Sequence, residues 1–124
     1  MHRLPITVLL GLALIAAPTF VHEAAAHSGL VRSSPAVGST VKTTPKEVLL
    51  RFTEKLEPAF SSVDVHDAKG ASVAVGKATV DPAQPTQMRV ALKALPPGTY
   101  KVIWRVLAVD THRSKGSFTF RVGH

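Results

Sequence analysis

From residue 47 onward, apolar and polar residues alternate with the two-residue period of half-buried strands. Val48, Leu50 and Phe52 share one face, with Glu47, Leu49, Arg51 and Thr53 on the other. Val63 and Val65 alternate with Ser62, Asp64 and His66, and Met88, Val90 and Leu92 with Gln87, Arg89 and Ala91. The clearest run is TYKVIWRVLAVD, which puts Tyr100, Val102, Trp104, Val106 and Ala108 on one face and Lys101 and Arg105 on the other. Ile103, Leu107 and Val109 join that second face, so the pattern predicts a central strand. A last strand, GSFTFRV, turns Phe118, Phe120 and Val122 inward.

Turn residues separate these runs: Pro35 and Gly38, Pro45, Pro58, Lys69-Gly70, Pro82 and Pro85, then Pro96-Pro97-Gly98. There is no helical stripe and no room for crossover helices. The pattern therefore predicts an all-β fold, an antiparallel Greek-key sandwich or small barrel.

The beginning of the chain reads differently. Arg3 precedes an apolar run over 6–17, and Ala24 and Ala26 stand where a signal peptidase accepts small residues. The run is short of the roughly 20 residues of a membrane span. The reading is a signal peptide at 1–26 and one domain at 27–124, exported, periplasmic and not stably inserted in the membrane. An uncleaved anchor is the competing reading. Cleavage would leave 98 residues, enough for one modest core.

Charge and cysteine content narrow the chemistry. The net charge is +7, and loss of 1–26 removes one arginine and one glutamate, leaving it unchanged. In an exported protein that balance points to solubility, anionic lipid headgroups, cell-wall polymer or an acidic partner, and not to nucleic acid. With no cysteine, disulfides, blue-copper sites, iron–sulfur clusters and cysteine nucleophiles are excluded. No nucleophile elbow, phosphate loop or HExxH motif is present, so a catalytic residue has no support.

One triplet stands out: Asp110-Thr111-His112, in VDTHRSKG. On an extended chain, positions i and i+2 point the same way about 6.6 Å apart, so both tips could converge on one ion. Alone the triplet is weak, since a turn aspartate beside a surface histidine is commoner. Cleavage after Ala26 would change its meaning, because His27 would then offer its α-amine and imidazole as a chelating pair. With His112 and Asp110 the set becomes three nitrogens and a carboxylate, a tetragonal N,O environment that suits Cu(II). The metal-site reading is thus His27, Asp110 and His112 holding one Cu(II) per chain.

The chain also resembles the CopC family of periplasmic copper-resistance proteins, through HSGLVRSSPAVGSTV, PKEVLLRFTEKLEPAFSSVDVHDAKG and LPPGTYKVIWRVLAVDTHRSKGSFTFRV. The resemblance implies a cupredoxin-like or immunoglobulin-like β-barrel carrying or storing Cu(II) outside the cytoplasm, without being an enzyme. It implies the same three ligands, His27, Asp110 and His112, and a CopD-type inner-membrane copper transporter as partner. Glu54 matches an acid near the copper in some members. The methionine-rich Cu(I) site of others has no counterpart, since Met88 is the only methionine after residue 1. Arg113-Ser114-Lys115 replaces the proline and smaller residues that many members carry after the D-x-H motif.

Two other classes compete with a copper carrier: a histidine-brace copper monooxygenase, and a metal-free interaction module. Asp110 argues against the first by filling an equatorial position that oxygen would need. His66, between acids, reads as a surface histidine before a ligand, His124 as a chain end, and Trp104 as core with an indole able to report copper by quenching.

Overall fold

The computed structural model describes residues 2–3, 11 and 29–123. Eight strands form two four-stranded sheets: β1 (Leu30–Ser34), β2 (Thr40–Val41), β3 (Glu47–Phe52), β4 (Ser62–His66), β5 (Ala74–Val80), β6 (Gln87–Leu92), β7 (Gly98–Leu107) and β8 (Arg113–Val122). One sheet runs β1-β3-β6-β5 and the other β2-β8-β7-β4. The predicted antiparallel all-β sandwich is what forms, with one exception. The two-residue β2 pairs with β8 in parallel, Thr40 opposite Arg121 and Val41 opposite Val122. The only helical turn among the described residues is a 3-10 turn, Pro58–Phe60, leading into β4.

The alternation read from the sequence sets the layers. Val48, Leu50 and Phe52 of β3 and Met88 and Val90 of β6 face Val63, Val65, Val102, Trp104, Val106, Phe118 and Phe120 of the opposite sheet, all buried. Their outward neighbours Arg51, Arg89, Lys101 and Arg105 stay in water, so the layering follows from the removal of apolar side chains from solvent. Trp104 meets Phe52 edge to face, with centroids 5.2 Å apart at 70°, which ties the two sheets together at one end of the core. At the other end Tyr100 stacks on Phe120, and its hydroxyl donates to the Pro96 carbonyl.

β7 lies between β4 and β8, the central place its two apolar faces predict. It pairs with β8 along its whole length, from Gly98 opposite Val122 to Leu107 opposite Arg113. The connection closing that hairpin, 108–112, is where the sequence concentrates its chemistry.

Candidate metal centre

Asp110 and His112 do not lie on an extended strand. The hairpin closes through a tight turn, in which Thr111 N–H donates to the Ala108 carbonyl at 2.9 Å and Ala108 N–H to the His112 carbonyl at 2.8 Å. Thr111 takes a positive φ of 75°, a conformation that costs a β-branched residue energy. Asp110 Oδ1 accepts the backbone N–H of His112 at 3.0 Å and so fixes the turn. The expectation that i and i+2 share a strand face is therefore corrected: a turn, with one Asp110 oxygen engaged locally, brings the two residues together. Both are exposed at the end of the sandwich.

A second segment meets this turn from the other sheet. After β3, the chain runs beside the end of β7: Glu57 N–H donates to the Leu107 carbonyl at 2.8 Å, Val109 N–H to the Lys55 carbonyl at 2.9 Å, and Leu56 bridges Ala108. These bonds bring the Glu54 carboxyl within hydrogen-bonding reach of Asp110. The hydrogen bond to Asp110, partial burial and the Asp110 charge raise the Glu54 pKa, against the attraction of His112. The Asp110 pKa is lowered, first by the His112 N–H and then by Glu54. The two carboxyls thus shift in opposite directions, Glu54 upward and Asp110 downward. Glu54 Oε2 is buried without a hydrogen-bond partner. An orphaned acceptor beside a second carboxyl and an imidazole is an arrangement that a cation satisfies.

The described chain reaches the same place from a third direction. The Gly29 carbonyl accepts the Thr53 N–H at 2.8 Å, and at its φ of 87° a Cβ would stand 3.4 Å from Ser114 Oγ and 4.0 Å from Phe52 and Thr53. Gly29, Thr53, Glu54, His112 and Ser114 line a cleft of about 90 Å³ floored by Phe52. That space takes an ion with a few waters; organic substrates occupy several times more.

Among the described residues no group of three or more His, Cys, Asp or Glu side chains is arranged to hold a metal ion. The structure brings Glu54, Asp110 and His112 into one neighbourhood without closing a site from them. His27 lies outside the described residues, as do the cleavage-site alanines and His124. His66 belongs elsewhere: its Nε2 is 2.7 Å from Asp64 Oδ2 on β4. Met88 is fully buried in β6, so its thioether is unavailable as a ligand.

A β-sandwich with acid and imidazole groups gathered at a hairpin end defines a class of small binding domain, and comparison with known proteins gives the particular family. The CopC domain family matches residues 30–123, and the chain belongs to that family. Copper resistance protein C of Xanthomonas campestris pv. juglandis is 36% identical over 115 residues, spanning 88% of this chain and 90% of that protein. The crystal structure of CopC from Methylosinus trichosporium OB3b superposes with a TM-score of 0.71 at 38% identity, covering 77% of this chain and 93% of that one. PcoC, a methionine-rich copper resistance protein from Escherichia coli, gives 0.64 at 35% identity, covering 79% of this chain and all of its own.

Proposed function

We propose that the protein is an exported carrier of Cu(II), freed of residues 1–26 and binding one ion through the α-amine and imidazole of His27, the imidazole of His112 and the carboxylate of Asp110. The observation that carries this reading is the position of Gly29, held at the cleft by Thr53 and facing Ser114. His27 is two residues upstream, and two residues span at most about 7 Å. A tether of that length is compatible with an amino-terminal histidine meeting His112 and Asp110, and this supports the reading. The kinship with copper resistance proteins supports copper as the cargo, and the N,O donor set supports its divalent state. With Met88 in the core, soft ligands for Cu(I) are missing.

The ion is cargo and not a catalyst in this reading. Asp110 and His112 are exposed, so an incoming ligand can attack the bound ion and take it by exchange, as handover to a CopD-type membrane transporter would require. Glu54 lies beside Asp110 and helps to position it.

Adding one residue between Ala26 and His27 removes the terminal amine from the chelate without touching the fold. Competition titration against a Cu(II) chelator should then show most of the affinity lost, with the circular dichroism unchanged. Equal affinity in the extended protein would sink the amino-terminal ligand.

A further inference from the structure

The outer face of the β2-β8-β7-β4 sheet carries an excess of positive charge that the copper site does not use. Outward positions on β7 and β8 are Lys101, Arg105, Arg113, Lys115 and Arg121, all exposed. Among the described residues none of the five is in an ion pair. Among the described residues the sole acid within these four strands, Asp64 of β4, is engaged by His66 and Ser72. Arg105 lies directly opposite Lys115, a like-charge cross-strand pair that works against the sheet. On the other sheet, by contrast, Arg89 reaches Glu47 at 3.9 Å and Asp81 at 3.7 Å. From Arg113 to Arg121 the cations run about 27 Å along β8, well beyond the screening length of about 8 Å at physiological salt.

We propose that this face is a docking surface for an anionic lipid bilayer, on which the protein rests without insertion. Complementarity of charge and shape carries the choice of occupant. Protein interfaces concentrate their energy in buried aromatic anchors. Here the residues between the cations are Ser62, Ser117, Thr119 and the half-buried Ile103 and Leu107, and no outward position of β7 or β8 is aromatic. A plane of phosphate headgroups needs only a flat array of cations, each adding to the attraction while it lies near the surface. Among the described residues no helix is long and apolar enough to cross a membrane, so attachment through this face is peripheral and reversible. The inference is independent of the copper site, and metal-free protein should show it.

The test is sedimentation of the purified, metal-free protein with vesicles of phosphatidylcholine containing phosphatidylglycerol as about one lipid in three, at about 0.1 M salt. Binding is expected there, with loss in about 0.5 M salt and on pure phosphatidylcholine. Arg105→Glu with Lys115→Glu should lower partitioning more than about tenfold. Lys77→Glu with Lys93→Glu, the same change of net charge placed in β5 and just after β6, should leave most of it. Arg105→Gln with Lys115→Gln serves as the milder pair, and circular dichroism checks every variant for folding. Equal loss in both charge-reversed pairs would overturn the proposal, because net charge alone would then be acting. It would also fall if the wild-type protein ignored the vesicles, or if it bound polyglutamate through the same residues while ignoring them, which would assign the face to an acidic protein.

Discussion

The Glu54 and Asp110 carboxyls meet across the seam between the two sheets, and their proximity moves their pKa values apart, Glu54 upward and Asp110 downward. The partners are 56 residues apart in the chain, and the backbone bonds of Glu57 to Leu107 and Lys55 to Val109 place them together. Two carboxyl groups in contact disfavour joint ionisation, and a bound cation reverses that preference. Glu54→Gln keeps the size of the side chain and removes its ability to ionise. Copper affinity in this variant should fall on the order of tenfold, the size expected for a group that supports a ligand without being one. Chelator competition reads it, and unchanged affinity would make Glu54 a plain surface acid.

Trp104, the sole tryptophan, is fully buried and packs on Phe52, which floors the cleft. Its emission should therefore drop on addition of one equivalent of Cu(II), recover on chelation, and respond little to Zn(II), which lacks unpaired electrons. Trp104→Phe should abolish the signal and leave the affinity measured by competition intact. Trp104 Nε1 has no hydrogen-bond partner, so phenylalanine loses volume and no hydrogen bond. Its cost should stay below the roughly 3–5 kcal/mol of a truncation to alanine. A steady emission through the titration would place copper away from this cleft.

Gly29 is the first described residue after the chain segment that would carry His27. At φ 87° an L side chain is strained by about 1–2 kcal/mol, and a Cβ would stand 3.4 Å from Ser114 Oγ. Gly29→Ala should lower the melting temperature and weaken copper binding together, because relieving the strain re-aims the segment upstream. Adding Ser114→Ala should not rescue either effect, since the backbone angle is the larger problem. Wild-type behaviour of Gly29→Ala would show that this glycine does not set the direction of the chain.

How far the sequence disclosed this molecule depended on whether a strand has a dry face. β3, β4, β6, β7 and β8 bury alternate residues against the opposite sheet, so a two-residue period marked each of them. β1 and β5 are edge strands with irregular pairing and mostly exposed side chains. In β5 Gly76 takes φ 71°, and no alternation survives to be read. β2 is two residues long and is fixed by its parallel pairing with β8, which is a tertiary fact. At the candidate site, the residue types at 110 and 112 were legible. The turn that joins them was not, because a positive φ at a threonine has no sequence signature. The reach of Glu54 to Asp110 likewise depends on backbone pairing between segments distant in sequence.

Asp64 offers a stability test remote from the candidate site. Its Oδ2 lies 2.7 Å from His66 Nε2, and its Oδ1 accepts the Ser72 hydroxyl and the Val65 N–H, each at 2.8 Å. Burial pushes the Asp64 pKa up, but the hydrogen bonds from Ser72, His66 and Val65 outweigh it and the net shift is downward. A carboxylate whose folded pKa lies below its unfolded value of about 3.9 stabilises the fold above that value. The contribution disappears as pH falls through the folded pKa. Asp64→Asn should therefore lower stability at pH 7 by less than about 1 kcal/mol, since both side chains are partly solvated. The gap between wild type and variant in urea titrations should close as pH falls from about 4 toward 2. If it persists undiminished at the acid end, the loss comes from the geometry of the amide at that position, and the ionised Asp64 does not support the fold.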